Sequence, residues 1–465
     1  MNSALKELLQ IRNRADDGSV KISGNDPIYS TNFKVAETAA GVLAATGVAV
    51  SDIWELKTGR RQTVSVDTRH AAAAINSHSY LQFRQPDGRY QAKDDSPLAQ
   101  MAYDIIKAYP TKDGRWYLPH LGIKHLKERV LGILDCEMSM ESVAAAVAKW
   151  DAEDLDNALA EANTCGGIIR SEEEWLNHPH GQALAAQAVV EIEKIGESDP
   201  EPFAEDGPAL HGIRALDLTR ILAGPVAART LSEHGADVLM VAAKGIPQLK
   251  KFVIDLSHGK RSCFLDLNVE EEADRLKELV KEADVFSQGY RPGVLDARGF
   301  GPQELAALRP GLVYTSINCY GSGGPFSDRG GWEQVAQSVT GISHEVDTPP
   351  ALLPVYICDY MTGYLGAYGT MLALAKRAVE GGSYHVKVSL CQSAMFLQRQ
   401  GRVEYTEEGM GLSQEDVAPL QIDSDTTYGQ LRHLGPVIRF SETVPNWSRP
   451  TPALGGDKAE WLEMG

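Results

Sequence analysis

Apolar residues recur at helical spacing through LKERVLGILDC, MESVAAAVAKWDAEDLDNALAEAN and SEEEWLNHPHGQALAAQAVVEIEKI, so residues 95–195 read as a mainly helical domain. Ser171 and Glu174 stand at capping-box spacing ahead of the last run, and GRWYLPH is a short strand. In GESDPEPFAEDGPALHG, residues 196–212, acidic residues, prolines and glycines replace any hydrophobic period, which marks a linker. Beyond it the pattern changes. IRALDL, ADVLMVA, RSCFLDL, ADVFSQG and GLVYTSI are short apolar runs separated by the helical stretches VAARTLSEH, EEEADRLKELVKEA and GPQELAALR. Strands alternating with helices imply right-handed crossovers and a sheet covered on both faces. The predicted fold class is therefore α/β: a doubly wound, mostly parallel, Rossmann-like large domain beside a smaller, mainly helical α+β domain. In such sheets ligands bind outside the carboxyl ends of the strands, which directs attention to the loops after those five runs.

An internal similarity adds to this picture. Residues 41–75 run helix, glycine-marked turn, strand, helix, and residues 362–396 repeat that order, with TVSVDTRHAA matching HVKVSLCQSA. The N-terminus then reads as the remnant of a tandem unit whose active region survives in the second copy.

Composition narrows the function classes. The 465 residues are 43% hydrophobic and 23% charged, with no stretch of ~18 apolar residues expected to span a bilayer. The opening MNSALKELLQIRNRADDGSV mixes charges of both signs and lacks the pattern of a signal peptide, which suggests the cytoplasm. Forty-five basic against 63 acidic residues give a charge of −18, which disfavours nucleic acid but not a small anionic ligand. The six cysteines are scattered without metal-ligand spacing and read as reduced and mostly buried. His178 and His180 flank Pro179 as a loop pair, without the second ligand pair a metal would need.

Several loops could carry chemistry. DLTRILAGPVAARTL places Gly224 and Pro225 at a helix start, either a plain tight turn or backbone N–H groups for a phosphate or carboxylate; it is not a GxGxxG fingerprint. His258, Gly259, Lys260 and Arg261 precede a strand, as a solvated turn or a phosphate grip. YRPGVLDARGFGP offers Arg291 and Arg298, and the glycine-rich CYGSGGPFSDRGG is costly to order and suits a loop that closes over something. Asp359 follows an apolar run and precedes a helix rich in small residues. It is either an N-cap or a nucleophile aimed into a cleft. No Ser/His/Asp order, Walker loop or HExxH is present.

In their order, LDLTRILAGPVAARTLSEHGADVLMV, HGKRSCFLDL, ADVFSQGYRPGVLDARGFGPQEL, PGLVYTSINCYGSGGPFSDRGG and GGWEQVAQSVTGI resemble the large domain of the class III coenzyme A transferases, of the carnitine dehydratase and formyl-CoA:oxalate transferase type. TKDGRWYLPHLGIKHLKERVLGI through EEEWLNHPHGQAL is similar to that family's small domain, which normally follows the large one, and TTYGQLRHLGPVIRFSETVPNWSRPTPALGGDKAEWL to its C-terminal segment. The resemblance implies a rearranged order: a remnant at 1–80, a small domain at 81–195, the linker at 196–212, a CoA-binding large domain at 213–400, and a C-terminal segment at 401–465 returning to the large domain.

The resemblance further implies that Asp359, followed by Gly363, is the nucleophile, acting through an anhydride and then an aspartyl-CoA thioester. It makes Gly323 and Gly324 part of a lid or oxyanion support, and Glu333 a group that positions the acid or the Asp359 loop. It assigns CoA contacts to Arg220, Ile221, Leu222, Ala223, Lys260, Gly289, Tyr290 and Arg298. The loop AAKGIPQLKK departs from the family pattern. Coenzyme A and acyl-CoA enter as substrates with a carboxylic acid acceptor, no cofactor is bound permanently, and neither nucleic acid nor membrane is a partner. An interlocked homodimer is implied. The racemases of the same fold use a histidine where Trp332 and Glu333 stand here, and tryptophan cannot exchange a proton at carbon. An acyl-CoA isomerase or racemase, or a non-catalytic CoA-binding protein, are the alternatives.

Overall fold

The computed structural model describes residues 2–92, 104–246, 248–406 and 410–463. The apolar runs form the strands Arg214–Leu218, Asp237–Ala242, Lys260–Phe264, Val285–Gln288 and Val313–Asn318, and a further strand, Ser383–Ser389, joins them in parallel. Across the sheet the order is Lys260–Phe264, Asp237–Ala242, Arg214–Leu218, Val285–Gln288, Val313–Asn318, Ser383–Ser389, and then Glu191–Gly196 on the edge. This is the Rossmann order, with the direction of winding reversing between Arg214–Leu218 and Val285–Gln288.

Glu191–Gly196 corrects an expectation. The segment EIEKI, assigned by periodicity to the last helix of the small domain, is a strand antiparallel to Ser383–Ser389. Its short alternating pattern fits an edge strand, and pairing with the large sheet overrides helical spacing. Upstream, Tyr109–Pro110, Trp116–Pro119 and Gly166–Ile168 make a three-stranded sheet where one strand was expected. The helices Lys124–Leu134, Met140–Val147 and Ala152–Glu161 pack with it into a separate core around Tyr117, Val143 and Leu155. The capping box of Ser171 and Glu174 is present.

The N-terminal unit repeats part of the large domain closely. Val35–Thr58 and Ile357–Glu380 are both helices of 24 residues. Each leads through a glycine turn into a strand and a second helix, Val64–Asp67 with Thr68–Ala74, and Ser383–Ser389 with Leu390–Arg399. At a constant separation of 322 residues (357 minus 35), Glu37 matches Asp359, Gly41 Gly363, Gly47 Gly369, Gly59 Gly381 and Asp67 Ser389. A Cβ at Gly41 would strike Asn2 and Leu5, and one at Gly363 would strike Ala223 and Val226, so both glycines admit the first turn of a neighbouring helix. The two long helices pack against each other.

Val35–Thr58 also corrects the reading that no segment is long and apolar enough to cross a membrane. It passes on length, with a mean hydropathy of 1.3, but 83% of that window is buried inside the protein. It serves as a core helix.

The C-terminal segment binds the parts together. Gln421–Thr426 and Gly429–Leu434 form a hairpin extended by Gln82–Arg84, and Arg439–Phe440 pairs with Val64–Asp67. The chain then covers the exposed edge at Lys260–Phe264, where Asp457 N–H donates to Ser262 O (2.7 Å) and Ser262 N–H donates to the Asp457 carboxylate (2.8 Å). An open strand edge is a template for unwanted pairing, and this tail closes it.

Candidate active site

The crevice lies where the winding rule puts it. The loops after Arg214–Leu218 and Val285–Gln288 both line a cavity of about 290 Å3, together with the small domain's Ile123, His125 and Cys165. In the first loop Leu222 N–H donates to Arg220 O (3.1 Å) across Ile221, whose φ is +72°. This is a γ-turn of the strained hand, and a β-branched residue there is an outlier. The turn places Ile221 and Leu222 on the walls of two cavities and ends at the first residue of the helix Ala223–Glu233.

Asp359 belongs to both cavities. It is the third residue of the helix Ile357–Glu380, not its N-cap; the cap position is Tyr356, whose side chain makes no capping bond. The capping group comes from another helix. The Glu333 carboxylate accepts from Asp359 N–H (2.6 Å), Cys358 N–H (3.2 Å) and the Gln337 amide (2.6 Å). Asp359 is 8% exposed, and its carboxyl accepts a backbone hydrogen bond from Ala223. Two helix N-termini thus converge on it, which favours its anion.

Burial works the other way. It pushes Asp359 well above the usual carboxylate range, and the adjacent Glu333 charge pushes it further. Glu333 is raised too, by burial against its hydrogen bonds. The two carboxyls form a coupled pair that holds a proton more readily than free acids do.

The two cavities differ in character. The larger carries Arg220, Arg291 and Arg329, the last two tied into the small domain through Asn163 and Asp156. The smaller, about 160 Å3, is walled mainly by apolar side chains, including Ile106, Leu249, Phe252 and Trp332.

Of the residues singled out in the sequence, Arg220, Ile221, Leu222, Ala223, Gly289 and Tyr290 gather on the larger cavity, and Glu333 stands beneath Asp359. Four do not join them. Lys260 is 1% exposed, donating from Nζ to the Asp217 carboxylate (2.8 Å) and Pro225 O (3.0 Å), because its strand turns that side chain under the helix Ala223–Glu233. Arg298 is exposed in a short 3-10 turn, with Nη2 donating to Asn268 Oδ1 (3.2 Å), and lines neither cavity. Gly323 lines a different cavity beside Gln187, whose amide donates to Ser322 O (2.9 Å). Gly324 lies against the His180 ring, whose Nδ1 accepts from Phe326 N–H (3.0 Å). The glycine-rich loop is therefore docked on the small domain; Gly330 and Gly331, farther along, reach the cavity with Asp359.

Sequence reasoning missed His120, Ile106, Leu249 and Phe252, which wall the smaller cavity. His120 directly follows the strand Trp116–Pro119 and stacks on Trp332 at 5.8 Å. Burial lowers its pKa to about 4, so it is neutral near pH 7. No local motif marks it, though a polar residue ending an apolar strand was a usable hint.

Comparison with known proteins follows from this geometry. Residues 210–428 match the model of CoA-transferase family III. The acetyl-coenzyme A transferase nodX of Hypoxylon pulicicidum is 31% identical over 420 residues, covering 80% of this chain and 70% of that protein. An acyl-CoA transferase of Gibberella moniliformis is 32% identical over 423 residues, covering 77% and 74%. A formyl-CoA:oxalate CoA-transferase of Rhodopseudomonas palustris is 30% identical over 266 residues, covering 51% and 61%.

Proposed function

The chain belongs to CoA-transferase family III, an enzyme family working on acyl-CoA, and from that premise we propose that Asp359 carries coenzyme A between two carboxylic acids. The observation that carries the reading is a nearly buried carboxyl at the meeting of two cavities, one lined by cations and one apolar.

In this reading the Asp359 carboxylate attacks the donor thioester carbonyl, forming a mixed anhydride and releasing CoA thiolate. The thiolate attacks the Asp359 carbonyl, expels the donor acid as its carboxylate, and leaves an aspartyl-CoA thioester. The acceptor carboxylate then repeats the two exchanges in reverse, restoring Asp359. Covalent relay splits a difficult transfer into easier steps, provided water stays out while the activated acyl group exists. The low exposure of Asp359 supports that condition. The Ala223 N–H, which bonds the Asp359 carboxyl, is a donor suited to charge developing there during the exchange. Arg220 and the loop around Gly289 and Tyr290 suit the pantetheine and phosphate portion of CoA.

The wider organisation is part of the same reading. Residues 1–80 descend from a duplicated unit, followed by the small domain, the linker and the large domain, and the constant separation of 322 residues supports it. The enzyme works in the cytoplasm, in keeping with its unpaired cysteines, and as a homodimer, in keeping with the family resemblance.

Intact mass after incubation with an acyl-CoA panel, with hydroxylamine trapping, tests the chemistry. A CoA-sized or acyl adduct on Asp359, absent from Asp359→Ala, is the expected result; no adduct from any donor that binds overturns it. A second reading, proton exchange at the carbon next to the thioester, has His120 in the same cavity on its side. Solvent deuterium incorporation without CoA transfer would favour it.

A further inference from the structure

This inference deepens the reading of Asp359 as the CoA carrier and concerns what the acid must look like. The smaller cavity shares Asp359 with the arginine-lined one and is walled by Ile106, Ile221, Leu249, Phe252, Trp332 and Tyr356. Among the described residues no lysine or arginine lines it. Its titratable members are His120, Tyr356, Glu333 and Asp359. His120 is fully buried and stacked on Trp332. A second carboxylate entering here would thus find apolar walls and no cation, and would face the carboxyls of Glu333 and Asp359.

The walls are fixed from outside. His78, from the N-terminal unit, packs edge-on to Phe252 at 5.1 Å and stacks on Tyr356 at 5.3 Å, while its Nδ1 shares a hydrogen bond with the Tyr360 hydroxyl (3.0 Å). At about 160 Å3 the cavity is comparable in size to one that accepts benzene, so it has room for an acyl group of about six carbons. We propose that this cavity is the acyl subsite and that it selects apolar monocarboxylic acids, short-chain, branched or aromatic, against dicarboxylic ones.

Calorimetric binding of CoA, hexanoyl-CoA and succinyl-CoA to Asp359→Asn reads the selection without turnover. Hexanoyl-CoA is expected to bind more tightly than CoA, and succinyl-CoA about 100-fold more weakly than hexanoyl-CoA, the order of cost for a buried charge without a partner. Equal affinity for the two thioesters overturns the proposal. In the Asp359→Asn background, Leu249→Arg supplies a cation at a half-exposed wall position; it should narrow the gap about tenfold while leaving CoA affinity in place. An unchanged gap counts against the subsite. The two readings fail separately. An adduct formed as readily from succinyl-CoA as from hexanoyl-CoA sinks the subsite and keeps the transferase, whereas discrimination without any adduct does the reverse.

Discussion

Asp359 combines opposing influences that a single substitution can separate. Burial and Glu333 raise its pKa, and Ala223 N–H lowers it. The attacking form is the anion, so activity should rise with pH through a limb lying above the usual carboxylate range. Glu333→Gln removes the neighbouring charge, which lowers the Asp359 pKa and should move that limb to lower pH in the kcat profile. A purely structural role for Glu333 would reduce activity without moving the limb. Lys260 shows the opposite relation between sequence and role: a cation beside a glycine suggested a phosphate grip, but Asp217 and Pro225 use it internally. Lys260→Ala leaves Asp217 buried without its cation and should cost about 3–5 kcal/mol in a urea titration. The affinity of the folded fraction for CoA should be unchanged, whereas a phosphate contact would show as weakened binding.

At the scale of elements, the two long helices solve one problem twice. Each begins without a capping side chain of its own and borrows a carboxylate from elsewhere. For Ile357–Glu380 it is Glu333, on Cys358 and Asp359; for Val35–Thr58 it is Asp26, which accepts from Ala36 and from Glu37 N–H at 2.8 Å. The corresponding pair, Asp26 and Glu37, has the same relation as Glu333 and Asp359 but lines none of the cavities described. Its contribution is to stability. Asp26→Ala should lower stability by about 1–2 kcal/mol, read as a drop in melting temperature, with adduct formation at Asp359 retained. The internal similarity was legible because the helix, glycine turn and strand are local patterns. No spacing rule revealed the borrowed caps; Glu333 was tied to the Asp359 loop only through the family resemblance, and Asp26 was not marked at all.

At the scale of the molecule, the site is a seam. Small-domain residues reach the large domain through Arg329 with Asp156 (2.6 Å), Arg291 with Asn163 (2.9 Å) and Arg170 N–H with Ser338 O (3.1 Å). Two of these bonds hold Arg291 and Arg329, which line the larger cavity. Alternating strands and helices implied a parallel sheet and pointed to the loops after all five strands; the strand order, which singles out the loops after Arg214–Leu218 and Val285–Gln288, belongs to the fold. These loops supply one wall only. The walls from residues 106–125 and 249–252 come from segments whose own patterns are ordinary, a short strand, a turn and a brief helix.

Local chemistry is what the sequence by itself determined. Hydrophobic period set the strands and helices, and glycine and proline set the turns, because each depends on neighbours a few residues away; for Asp359 the local pattern left a cap and a nucleophile both open, and the family resemblance pointed to the second. The tertiary structure alone decided that Asp359 is held by Glu333 and Ala223, that Ile221 takes a strained turn, that Lys260 faces inward, and that an apolar cavity adjoins the arginine-lined one. Those outcomes rest on burial and on contacts between distant segments, and both the charge state of a carboxyl and the polarity of a cavity follow from such surroundings.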